Sequence, residues 1–197
     1  MISSESYIFL AVLAALALVA LVYLLSPMSL HDEPLLYLIG VNHARQFKYP
    51  ATRMFGEAEA VREKREAFKA HIVEKIDQLD IEILAEEWSD EVPGNDTVPW
   101  QIGKARGIEH RFCDPTAIEK QARGIEVDPR KETDSDRDKR RRFWLSKIAD
   151  CKQRRVLFVC GDKHFDAFAQ LLESNGFNVQ RGAHYDISDE EFYGPRD

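Results

Sequence analysis

The chain opens on an unbroken apolar block. Tyr7 to Leu25 (YIFLAVLAALALVALVYLL) holds no charge, and its side chains are apolar except for two tyrosine hydroxyls. As a helix rising about 1.5 Å per residue it reaches roughly 28 Å, close to the hydrocarbon thickness of a bilayer. Tyr7 and Tyr23 stand near its ends, where amphipathic rings favour the membrane interface. A cleaved signal peptide needs a basic start and a small-x-small exit. The first six residues, MISSES, contain neither Lys nor Arg, and Ser26-Pro27-Met28 follows the block. The pattern therefore predicts an uncleaved transmembrane anchor.

Beyond the anchor the pattern becomes periodic. Residues 27–34 are polar and broken by two prolines, which marks a linker. Leu35 to Ile39 is a solid apolar run ending at Gly40, as in a strand buried on both faces. From Gly56 to Leu79, the residues Val61, Phe68, Ile72, Ile76 and Leu79 fall mostly three and four apart, which predicts an amphipathic helix. Further strands are expected at Ile81–Ala85, Ile108–Cys113 and Val156–Cys160, with a last short one starting at Phe177–Val179. Helices are expected around Pro99–Arg106, over Glu132–Asp150 and on the face formed by Phe165, Phe168, Ala169 and Leu172. Solid apolar strands alternating with helices predict an α/β domain: a mostly parallel sheet with helices on both faces. The organisation is thus an N-terminal tail and transmembrane anchor (1–26), a linker (27–34), an α/β domain (35–180) and a C-terminal tail (181–197).

Composition narrows the class. The chain has 197 residues, with 27 Lys and Arg against 34 Asp and Glu, a formal net charge of −7. That balance argues against a general nucleic-acid binder, which shows a basic face. Arg45, Lys48 and Arg53 follow the anchor and no cation precedes it, so the positive-inside rule places the domain in the cytoplasm. Three cysteines, an odd number without disulfide-framework spacing, agree with a reducing compartment. The membrane is the expected partner, through Tyr7–Leu25. The tract Asp134–Arg142 is dense in charge of both signs and reads as a solvated helix face or loop.

Ligands of open parallel sheets sit beyond the carboxyl ends of the strands. Polar groups gather at those positions here. Gly40 to His43 follows the first strand, Glu86-Glu87 ends the second, Gly107 to His110 and then Asp114 mark the third, and Gly161 to His164 follows the fourth. A glycine at a strand end permits a close approach or sharp turn. An imidazole beside it can hold a metal or exchange a proton near neutral pH. A carboxylate next to two imidazoles completes a ligand set for a divalent transition metal or supplies a general base. The candidate metal set is His43, His164 and Glu86. Glu86, Glu87 and His110 are candidates for proton transfer, and Asp114, Gly40 and Gly161 complete the rim. Consecutive strand residues face opposite ways, so Glu86 and Glu87 cannot both serve one site; Glu86 is slightly favoured. His31, His71 and His184 carry no expected role.

The segments LLYLIGVNH, ILAEE and VLFVCGDKH resemble the Tiki/TraB, erythromycin esterase and ChaN-like superfamily, in order over most of residues 35–180. Members of that group are similar in carrying two Gly-x-x-His motifs and an intervening glutamate motif on an α/β core. The resemblance implies functional roles for His43, Glu86 or Glu87, and His164. What it implies about activity is divided among metal-dependent proteolysis, esterase chemistry and haem binding. Two expectations follow: a membrane-anchored metal-dependent hydrolase, or a non-catalytic ligand-binding or signalling domain that takes a nucleotide, haem or anion.

Overall fold

The computed structural model describes residues 33–41, 59–91, 97–128 and 130–185. The chain divides between Asp32 and Glu33, and the described residues all belong to the second part. The expected anchor at Tyr7–Leu25, most of the linker, His31 and His43 lie outside them. Among the described residues no helix is long and apolar enough to cross a membrane.

Among the described residues are five strands and five α-helices. Strand β1 (Leu35–Val41) and helix α1 (Glu59–Leu79) come first, followed by β2 (Ile83–Glu86), α2 (Val98–Arg106) and β3 (Glu109–Phe112). Then come α3 (Ala117–Ala122), α4 (Asp134–Lys147), β4 (Arg155–Gly161), α5 (Phe165–Ser174) and β5 (Val179–Tyr185). The helix ends obey local chemistry. The Thr97 hydroxyl accepts from the Trp100 N–H at the start of α2, and Gly107 closes that helix at φ 68, in the left-handed region. Thr116 with Glu119, and Thr133 with Asp136, form reciprocal capping boxes at α3 and α4.

The sheet is wholly parallel, in the order β3-β2-β4-β1-β5. The chain moves toward one edge from β1 to β2 to β3, and toward the other from β3 to β4 to β5. Right-handed crossovers then place α1 and α2 on one face and α3 to α5 on the other. The two buried clusters agree. Phe68, Ile72, Ile76, Val98 and Ile102 cover Tyr37, Ile39, Leu84, Leu157 and Val159. Phe143, Trp144, Phe165, Phe168 and Leu172 cover Leu36, Leu38, Ile83, Ala85 and Phe158. Buried on both faces, the strands have to be solid apolar runs, and that is how the sequence reads.

Several boundaries differ from expectation. The second strand begins at Ile83 because Asp80, at φ 46, turns the chain out of α1 first. The helix expected to reach Asp150 stops at Lys147 and gives way to a 3-10 turn, Ala149–Cys151. The short helix α3 carries no buried residue, so it lacked an apolar stripe to announce it. The last strand continues to Tyr185, past the expected domain end at 180. His184, expected in a tail, is therefore a strand residue in register with Gly40. Gly40 and Gly161 lie within β1 and β4 and do not follow them.

Candidate functional site

The connections leaving β2 and β4 run in opposite directions, to β3 and to β5. This divergence opens a crevice between neighbouring strands at the carboxyl edge of the sheet. Strand alternation sends Ile83 and Ala85 to the face of α4 and α5, and Leu84 to the face of α1 and α2. Glu87 follows the first pair and Glu86 follows Leu84. His164 ends a 3-10 turn, Asp162–His164, directly after β4 and stands at the start of α5. Glu87 and His164 consequently meet in the crevice, with Nε2 of the imidazole 3.5 Å from Oε1 of the carboxylate.

Glu87 is 2% exposed and is held from several sides. Its Oε2 accepts the Gly161 N–H at 2.6 Å, and its Oε1 accepts from the Arg140 guanidinium at 2.6 Å. Arg140 also donates from Nε to Asp114 at 2.9 Å and from Nη1 to Glu132 at 2.8 Å. Asp114 further accepts from the Trp144 indole N–H at 3.0 Å and pairs with Lys120 at 3.0 Å. Burial by itself lowers the pKa of Arg140, but the facing carboxylates of Glu87 and Asp114 override it and hold the guanidinium above its ordinary value. The result is a buried ion network linking the ends of β2 and β3 to α4.

His164 is shaped by the same helix. The Trp144 ring meets its imidazole edge-on at 4.9 Å between centroids. A guanidinium N–H of Arg141 reaches its Nδ1 at 3.4 Å while the other end of that side chain binds Asp138 at 2.7 Å. Because arginine only donates, Nδ1 is the unprotonated nitrogen and Nε2–H faces Glu87. Burial lowers the His164 pKa below its ordinary value, Glu87 opposing and Arg140 reinforcing that shift. The imidazole is therefore neutral at neutral pH.

Glu86 and His110 make a separate pair on the opposite face. His110 Nε2 lies 2.8 Å from Glu86 Oε1, and that same oxygen accepts the Thr97 hydroxyl. Glu86 is wholly buried, and the His110 ring packs edge-on against Phe112. The structure thus brings together Glu87, His164, Gly161 and Asp114, and separately Glu86 and His110. It does not bring Glu86, the favoured carboxylate, to His164. Gly40 serves packing: a Cβ there would fall 2.9 Å from the Phe165 ring at the start of α5. His43 lies outside the described residues; β1, which ends at Val41, neighbours the strand leading to His164, with Val41 in register with Gly161.

A divalent metal fits the described residues poorly. The 3.5 Å separation of His164 and Glu87 is near that of two ligands around a tetrahedral ion with bonds of about 2.1 Å. Both Glu87 oxygens, however, already have donors. No group of three or more His, Cys, Asp or Glu suited to a metal occurs among the described residues. Cys113 and Cys160 are buried, and burial pushes both thiols up, so neither offers a ready thiolate.

Arg140, Arg141 and Trp144 were not expected in the site. Arg140 and Arg141 are only 9% and 8% exposed, contrary to the solvated face expected for Asp134–Arg142. The signal lay in spacing: Arg140 stands three and four residues before Phe143 and Trp144, on the apolar stripe of α4. No family model, curated protein or solved structure matches the chain.

Proposed function

We propose that the protein is a membrane-tethered hydrolase, anchored by Tyr7–Leu25 with its α/β domain in the cytoplasm, in which His164 transfers the proton and Glu87 orients it. The observation that carries this reading is the meeting of His164 and Glu87, from neighbouring strands, where the connections diverge. Glu87 faces Nε2–H and leaves Nδ1 as the basic atom, the arrangement in which a carboxylate fixes an imidazole tautomer and stabilises the imidazolium that forms. A carbonyl oxygen that draws the Arg141 guanidinium away frees Nδ1 to take a proton from the attacking water. The same guanidinium then faces the developing oxyanion, and the imidazolium returns its proton to the leaving group as the acyl bond breaks. The resemblance to the Tiki/TraB, erythromycin esterase and ChaN-like superfamily supports the reading, since it implies roles for His164 and for Glu86 or Glu87. His110, bound to Glu86 across the sheet, takes no part.

The test is hydrolysis of p-nitrophenyl acetate and p-nitrophenyl phosphate by the full-length protein, with chelator and with added zinc or manganese. His164→Asn is expected to lower turnover about 10²- to 10⁴-fold without changing the thermal transition. Turnover no faster than buffer under every condition, or unchanged in His164→Asn, overturns the hydrolase and leaves the non-catalytic ligand-binding domain. Activity that needs an added metal would make His43 the third donor to examine.

A further inference from the structure

A cleft of about 420 Å³ opens against Glu87 and Arg140 on the carboxyl side of β2 and β3. Its walls come from the segment after β2 (Trp88, Ser89, Glu91), the segment after β3 (Asp114, Pro115, Ala117), Lys120, Val127 and α4. A volume of this size suits a small organic ligand. The hydrogen-bonding groups already in use decide which kind. Glu87 is filled by Arg140 and the Gly161 N–H, and Asp114 by Arg140, Trp144 and Lys120. Glu91 gives one oxygen to the Ala117 N–H. The ammonium of Lys120, in contrast, has three N–H groups and is mostly buried, yet among the described residues it is paired with Asp114 alone. Ser89 Oγ accepts the Glu91 N–H, and its own hydroxyl proton is left to donate. Lys120 and Ser89 therefore keep several donors to spare against one remaining oxygen of Glu91, and together they suit an acceptor head group.

Two further observations describe the rest of the ligand. The large hydrophobic residues exposed among those described are Val127, which lines the cleft, and Ile118, beside the lining residue Ala117. Apolar surface left open at the mouth of a polar cleft suits an apolar ligand body. Three carboxylates against two cations in the walls, within a chain of net charge −7, oppose a dianion. We propose that this cleft binds an amphipathic monocarboxylate, its carboxylate on Lys120 and Ser89 and its apolar body against Trp88, Pro115 and Val127. The assignment concerns binding alone: among the described residues His164 and Arg141 do not line the cleft, so it stands apart from the hydrolase reading.

The test is thermal denaturation of the full-length protein in detergent, titrated with benzoate, benzylamine or inorganic phosphate at constant ionic strength. Benzoate is expected to raise the midpoint saturably, and the other two probes to leave it unchanged. Lys120→Met should weaken the benzoate response about tenfold or more, and Lys120→Arg should preserve it. A saturable response to benzylamine or to phosphate, no response to benzoate, or a full response in Lys120→Met overturns the proposal. His164→Asn separates the two readings: it should abolish hydrolysis and keep the benzoate response. A benzoate response without any hydrolysis overturns the enzyme and sustains the cleft.

Discussion

Glu86 and Glu87 are neighbours in sequence, both buried, and each faces a histidine, yet they stand in different surroundings. Glu86 is held locally, by donors that include the Thr97 hydroxyl and His110 at 2.8 Å. Glu87 belongs to a network in which one guanidinium serves carboxylates from three parts of the chain, and its histidine lies further off, at 3.5 Å. A buried carboxylate with well-placed donors is satisfied and stays put. Glu87 is as well satisfied, by Arg140 and the Gly161 N–H, but it also lines an open cleft and faces a neutral imidazole. In the proposed reading the difference makes Glu87 the working carboxylate and Glu86 a support for α2.

The largest effect should come from removing the shared cation. Arg140→Met leaves Glu87, Asp114 and Glu132 buried without their guanidinium, and about 3–5 kcal/mol of stability should disappear in urea unfolding. A loss below about 1 kcal/mol would mean that water replaces the cation freely, and the contrast between the two pairs would collapse. On the other face, Glu86→Ala strands one histidine and one threonine, and should cost about 1–3 kcal/mol. The two clusters lie on opposite faces of the sheet, so the double variant should be additive within about 0.5 kcal/mol. Strong coupling would show that the strand transmits strain between faces.

A subtler change should touch one pair only. Gly40→Ala drives a methyl group into Phe165, the residue after His164, and should cost about 1–2 kcal/mol. Imidazole NMR signals of His164 should move while those of His110, across the sheet, stay in place. Equal movement of both would remove the separation on which the comparison rests.

The fold was legible because strands covered on both faces must be continuous apolar runs, and LLYLI and VLFVC have few other uses. The order β3-β2-β4-β1-β5 was not, because it depends on which strands pair across long stretches of chain. Alternation required Glu86 and Glu87 to part, but which of them meets His164 is decided by the face that α4 and α5 cover. Arg140 and Arg141 stayed hidden because composition weighs a charged tract as a whole, whereas burial follows helical spacing from Phe143 and Trp144. An arginine on an apolar stripe is the clue that was overlooked.

The smallest effect concerns the proton on His164. Burial places its pKa below the ordinary value of about 6.5, and Glu87 only partly offsets the shift. Above that pH the imidazole is neutral in both folded and unfolded chains, and its titration contributes nothing. As pH falls through about 6.5 the unfolded chain takes up a proton that the folded one refuses, so stability declines until the lower folded pKa is reached. His71 is shifted the same way, by burial and then by Lys75, so the wild-type slope holds contributions from both histidines. Subtracting the stability profile of His164→Phe removes the common part. The difference should be flat above about pH 7 and fall in favour of the variant below about 6.5. A difference of the opposite sign would mean that Glu87 prevails over burial, so that the pair is a charged salt bridge. His164 would then lose the neutral Nδ1 that proton transfer needs, and the pair would become a structural counterpart of Glu86 and His110.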